Sequence, residues 1–192
     1  PDLVPSMKHL LRLRFLSLDL SGLNFLKVTD KLGQELKGLA LLKELRLSLA
    51  NCPALNSTSG LWAGVGQLAR LEHLHVDCSD CHRLKDMAGL DGPLGGLEEL
   101  RSLDLSFSGC RELADVSPLG SAVAKLRRLS VLMADFTGSQ VEDADVEGLA
   151  EAAYGAGCVS VLLGSAWSLS ARDDGARDSA REAALEAARQ AA

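Results

Sequence analysis

The feature that most constrains how this 192-residue chain can fold is a motif that returns at a fixed interval. The form L-x-x-L-x-L is complete at Leu13, Leu16, Leu18 and again at Leu42, Leu45, Leu47. It returns at Leu71, Leu74, Val76 and at Leu100, Leu103, Leu105. Degraded copies follow at Leu129, Leu132, Ala134 and at Cys158, Val161, Leu163. The first positions are 13, 42, 71, 100, 129 and 158, a constant interval of 29. Self-similarity of this length marks a repeat architecture, in which each unit is too small to bury its own apolar face.

Two periodicities alternate inside the unit. Leu32, Leu36, Leu39 are spaced four and then three apart, as are Leu61, Val65, Leu68, then Leu90, Leu94, Leu97, then Leu119, Val123, Leu126. That spacing is one face of an α-helix. Leu3, Met7 and Leu10 hold the same register ahead of the first copy. Downstream, residues 16, 18, 20 and their equivalents are apolar and the residues between them mostly polar. Such alternation predicts a short strand with one buried face. Stacked units then give a parallel sheet backed by helices. Strands stack ~4.8 Å apart and helices ~8–10 Å apart, so the stack curves with its sheet inside. The expected fold is an α/β solenoid, a right-handed horseshoe with six parallel strands on the concave side and helices on the convex side.

These residues resemble the leucine-rich repeat family over roughly residues 3–166. A 29-residue unit with a true helix is similar to the ribonuclease-inhibitor-like and cysteine-containing classes. The chain departs from the family at the strand-ending Asn, where it has Ser21, Ala50, Ser79, Ser108 and Thr137. Two residues later Cys52, Cys81 and Cys110 recur. They are expected to form an inward spine of small side chains, where a serine in place of Cys81 would leave a poorly satisfied hydroxyl. The organisation expected is a repeat domain over 1–166, with 1–12 as an N-terminal half repeat and 167–192 as an extension. In the last unit Gly148, Ala152 and Gly155 fall where earlier units have Leu, as a closing cap would require. Ser179-Ala-Arg-Glu182 has the form of a capping box and predicts a helix over 179–191, with Leu185 its one large apolar residue.

Composition narrows the partners. A formal charge of −6 disfavours free nucleic acid or an anionic membrane as the main target. No apolar run approaches the roughly 18–20 residues that cross a bilayer, so no transmembrane segment is expected. Five cysteines, an odd number, do not resemble a secreted disulfide framework and favour a reducing compartment such as cytoplasm, nucleus or organelle matrix. A chain that starts at Pro1 is expected to be a fragment or a processed form.

Chemistry-bearing motifs are few. Cys78-Ser-Asp-Cys81-His82 matches the C-x-x-C-H form of haem attachment, and with a further histidine could be read as a metal site. The repeat register explains both thiols without either group, because Cys78 shares a column with Leu20, Leu49, Phe107 and Phe136, and Cys81 one with Cys52 and Cys110. No Walker loop, G-x-S-x-G or G-x-G-x-x-G is present, so no enzyme and no cofactor are expected.

The outward strand positions are more informative. Asp19, Glu44, Asp77, Asp104 and Asp135 oppose Arg46 alone, and His75 and Met133 lie among them. This acidic strip is expected to attract a basic or amphipathic segment of another protein, with exposed carboxylates that add little to folding. Trp62, in a column otherwise held by Gly33, Asp91 and Gly120, is expected as a contact aromatic. The family resemblance implies a non-enzymatic protein-interaction scaffold that binds through its concave face or rim. Two alternatives accompany it: a peripheral subunit of a large assembly, or the substrate-recognition part of a ubiquitin ligase whose adaptor module lies elsewhere. A metal- or haem-binding protein built on Cys78, Cys81 and His82 is the remote one.

Overall fold

The computed structural model describes Met7 and residues 9–164. Five-residue strands recur every 29 residues: β1 (Phe15–Asp19), β2 (Glu44–Ser48), β3 (His73–Asp77), β4 (Ser102–Ser106), β5 (Val131–Asp135) and β6 (Ser160–Gly164). They form one sheet in sequential order, every neighbour parallel, with Leu16 opposite Leu45, Leu45 opposite Leu74 and so on across the sheet. Between them run α1 (Asp30–Leu36), α2 (Ser59–Val65), α3 (Asp91–Gly95), α4 (Ser117–Val123) and α5 (Asp143–Gly155). The chain is an α/β solenoid of six parallel strands.

Each strand starts two residues after the first leucine of its motif. That leucine closes a turn instead: the amides of Leu42, Leu71 and Leu100 donate to the carbonyls of Leu39, Leu68 and Leu97, at 2.9, 2.9 and 3.1 Å. The turn brings the chain from the helix layer back to the sheet, and both leucines of each pair are fully buried beneath it. Inward strand residues such as Leu45, Leu47, Leu74 and Val76 meet helix residues such as Leu36, Leu61, Val65 and Leu94 in a single aliphatic core. Phe107 and Phe136 stack in its last column, ring centroids 6.2 Å apart. Repetition therefore builds the core one leucine layer per unit.

Glycine sets the closest helix contact. A Cβ on Gly33 of α1 would lie 1.8 Å from the Gly60 carbonyl oxygen, and one on Gly64 of α2 would lie 2.2 Å from that of Gly33. The α1 and α2 backbones therefore touch where no side chain intervenes.

The last described unit breaks the strict period. Its helix α5 is the longest at 13 residues and opens with a capping box between Glu142 and Asp145. The residues it buries are Leu149 and Ala153, one place beyond the columns expected at 148 and 152. Val141, at 3% exposure, is buried where the 29-residue interval from Leu55, Leu84 and Leu113 would have put Glu142. The shift brings Leu149 inward and leaves the acidic first turn in water, where its carboxylates favour the helix dipole. At the other end β1 is only half covered: Leu16 and Leu18 are partly buried and Phe25 is 89% exposed. Leu3 and the helix expected over 179–191 with Leu185 lie outside the described residues.

Candidate functional site

The pleat sends residues 15, 17 and 19 and their equivalents away from the helices, and parallel register lines them up across the sheet. Glu44 faces Phe15 on one side and His73 on the other, while Arg46 sits between Ser17 and His75. The Arg46 guanidinium donates from Nε and Nη2 to Glu44 Oε1 at 2.8 and 2.7 Å. Its Cζ lies 5.7 Å from the centroid of the Phe15 ring, a cation–π contact at the strand edge. One register step along, His75 Nδ1 stands 2.9 Å from Asp104 Oδ2. Glu72, just before β3, pairs with Lys43, which holds its carboxyl below the usual range.

The carboxylates expected to form a free acidic strip are engaged within the protein. Asp19 accepts the Ser21 amide at 2.9 Å and the Ser21 hydroxyl, and these bonds hold its carboxyl below the ordinary aspartate value. Asp77 accepts the Ser79 amide at 2.9 Å and its hydroxyl at 2.6 Å, and Asp135 accepts the Thr137 amide at 2.9 Å. These aspartates terminate strands: the side chain captures the amide two residues on and turns the chain out of the sheet. Asp77 is thus part of the fold, contrary to the expectation that such charges are idle in folding. Ser48 and Ser106 take the same place in alternate units and pair with Ser21 and Ser79 through their hydroxyls, at 2.7 and 2.8 Å.

Two of the expected contact residues are not open. Trp62 is wholly buried, and its indole Nε1 donates to Thr58 Oγ1 at 3.0 Å. On α2 the residues Leu61, Trp62, Gly64 and Val65 are all covered. A helix flanked by neighbours on both sides loses its lateral positions as well as its core stripe, which single-helix periodicity does not reveal. Met133 is also covered, at 6% exposure, although it points away from the helices. Asp19 and Arg46 are open, whereas His75, Asp77, Asp104 and Asp135 are half-buried. Phe15, 49% exposed beneath Arg46, belongs with the open group. The 29-residue register contained its signal, since 15 and 44 are equivalent positions and 46 lies diagonal to 15.

The thiols turn inward. Cys52, Cys81 and Cys110 are all fully buried. Each donates to a main-chain carbonyl 32 residues upstream: Cys52 to Leu20 at 3.5 Å, Cys81 to Leu49 at 3.2 Å and Cys110 to Cys78 at 3.1 Å. The ladder is therefore hydrogen-bonded as well as packed, and a hydroxyl at position 81 would find the Leu49 carbonyl waiting. Burial pushes the thiols of Cys81 and Cys110 up to about 12 and also raises that of Cys78 well above the ordinary thiol value. His82 Nδ1 lies 2.9 Å from the Gly109 carbonyl, toward which it donates. Cys81 and His82 thus face separate carbonyls, Cys78 lies buried in the core, and among the described residues no three His, Cys, Asp or Glu side chains are grouped to hold a metal ion.

Among the described residues no helix is long and apolar enough to cross a membrane. No family model and no curated protein matches the chain. Among solved structures it is similar to internalin C2 of Listeria monocytogenes, at 19% identity over 76% of this chain and 80% of that one, with a TM-score of 0.27.

Proposed function

We propose that the chain is a non-enzymatic protein-interaction scaffold of the leucine-rich repeat type, with residues 1–166 as the solenoid and 167–192 as an extension. Its recognition surface is the open half of the concave face, from β1 to β3 and the adjoining Asp104. The observation that carries this reading is the Phe15, Glu44 and Arg46 group beside the His75–Asp104 pair. An aromatic ring, a guanidinium and paired charges on a rigid sheet are the groups that dominate protein interfaces. They also arrive prearranged, so little side-chain entropy is lost on binding. An amphipathic segment of a partner suits them, its apolar side on Phe15 and its basic groups toward Asp19 and Asp104.

The test is capture of partners by the immobilised chain and by a Phe15→Ala, Arg46→Glu variant whose circular dichroism matches the unaltered protein. Loss of specific partners, or affinity reduced by at least about tenfold, is expected for removal of two central contacts. Identical partners and affinities would move the recognition surface elsewhere.

A further inference from the structure

One long edge of the solenoid carries the charge opposite to that of the chain. Just before the strands the backbone ladder continues: the amides of Lys43, Glu72 and Arg101 donate to the carbonyls of Arg14, Lys43 and Glu72, each at 2.8 Å. These four residues therefore stand in one row, about 4.8 Å apart. Two places earlier the 29-residue interval aligns Arg12, Arg70, Glu99 and Arg128. The two rows hold six cations and two carboxylates, on a chain whose formal charge is −6. Glu98 and Arg127, in the column just before, cancel each other. Both carboxylates are already taken, Glu72 by Lys43 and Glu99 by Arg128. Among the described residues Arg12, Arg14 and Arg70 are exposed and pair with no carboxylate, and the buried Nε of Arg101 has no hydrogen-bond partner. Helix dipoles do not account for these cations. Their pull fades within the last turn, and none of α1 to α5 has a basic residue there. Arg70 and Arg128 lie five residues beyond Val65 and Val123, where α2 and α4 end. Folding gains nothing from the row either, since Arg14 beside Lys43 sets like charges directly opposite across the ladder.

We propose that this edge, from Arg12 to Arg128, binds an acidic segment of a partner protein, at a surface separate from the concave face. The edge spans four strand steps, about 19 Å, which about six residues of extended chain cover. Arginine supplies five of the six cations, and its planar guanidinium grips a carboxylate through two parallel bonds. Carboxylates laid along the rows relieve the repulsion between Arg14 and Lys43 and reach the cations that Glu72 and Glu99 leave uncompensated. The charge of the whole chain selects a short occupant. A nucleic acid or an anionic bilayer extends beyond the edge and is repelled by the net negative remainder of the molecule. A short segment stays on the edge, with most other carboxylates screened beyond a Debye length of ~8 Å.

The test is fluorescence anisotropy of a labelled oligoglutamate peptide titrated with the full chain at about 50 mM and about 200 mM salt. The unaltered protein should bind it, more weakly at the higher salt. The Arg14→Glu, Arg70→Glu variant should bind at least about tenfold more weakly. The Lys27→Glu, Arg83→Glu variant carries the same net charge, with both changes at exposed positions between strand and helix, and should lose less than about threefold. Equal losses in the two variants would overturn the proposal, because net charge and not the edge would then govern binding. So would no binding to the unaltered protein, or binding that salt does not weaken. Tighter binding of single-stranded DNA or of phosphatidylserine vesicles than of the peptide would assign the edge to that class and also overturn it. If circular dichroism shows that the edge variant is misfolded, Arg14→Gln, Arg70→Gln is judged by the same criteria against Lys27→Gln, Arg83→Gln. The concave face is judged by captured partners and the edge by the synthetic peptide, so the two readings fail independently.

Discussion

The cysteine ladder allows a prediction that separates two accounts of the same buried thiol. If Cys81 only fills space, a serine there should be worse than an alanine, because it buries a hydroxyl. If the Sγ–H bond to the Leu49 carbonyl at 3.2 Å matters, the order should reverse. Alanine removes one buried sulfur, a transfer loss of about 1 kcal/mol with a small cavity added. It also strips a partner from a buried carbonyl, at about 1–2 kcal/mol. The total is about 2–3 kcal/mol. Serine keeps the donor and forfeits mainly the transfer and packing part, about 1 kcal/mol. In a domain of this size 1 kcal/mol moves Tm by roughly 2–4 °C, so Cys81→Ala should lower it by about 4–12 °C and Cys81→Ser by about 2–4 °C. Differential scanning calorimetry of the two variants decides the matter. A serine variant less stable than the alanine variant would refute the hydrogen-bonded ladder and leave packing alone.

Two further predictions rest on geometry already described. Gly64→Ala should destabilise by about 1–3 kcal/mol, since its Cβ would lie 2.2 Å from the Gly33 carbonyl oxygen. Gly120→Ala, in open space on α4, should be neutral or stabilise by up to about 1 kcal/mol, and urea melts of the pair check the contrast. Stability should also fall at high pH. The thiols of Cys81 and Cys110 are pushed up to about 12 in the folded protein. Unfolded cysteine ionises near ~8.5, so the contribution is complete below that pH and is lost as pH rises toward the folded value. A urea midpoint that falls between about pH 8 and pH 10.5, and falls less in Cys81→Ala, is the expected result; equal slopes would remove the thiols from the explanation.

What the sequence disclosed was whatever repeats. The strands, their parallel register and the buried leucine columns follow from one interval, because each unit must place the same residue against the same neighbour. Cys52, Cys81 and Cys110 were legible as a spine for that reason, although their carbonyl partners were not, since a hydrogen bond across units has no compositional mark. The α1–α2 contact did leave a signal, glycines at 33, 60 and 64, which helical apolar periodicity passes over because it counts what is present at a face and not what is missing. Trp62 was misplaced for a related reason: burial of a lateral helix position depends on the two helices beside it. Residues 142 and 148 were misassigned because a terminal unit has a neighbour on one side only and is free to slip by one place. The residues of the acidic strip take the outward register positions that alternation predicts, but alternation says nothing about bonds to the residue two places on, which engage Asp19, Asp77 and Asp135.

The bonds that disarm the strip also make the open half of the face suitable for recognition. Asp19 and Asp77 hold the ends of their strands through Ser21 and Ser79, and those serines bond across to Ser48 and Ser106. Behind them the thiols tie each turn to the carbonyl of an earlier unit. Two ladders, one polar and one of sulfur, therefore fix the edge where the strands give way to loops. The side chains beside that edge stand on backbone that cannot shift without breaking several bonds at once. On the proposed reading, a partner meeting Phe15, Arg46 and His75 would lose little entropy in ordering the protein it binds, and the energy of those contacts would appear as affinity. Substitutions in the ladders should then change stability first and binding only through it. Substitutions at Phe15 and Arg46 should change binding while the melt stays where it was.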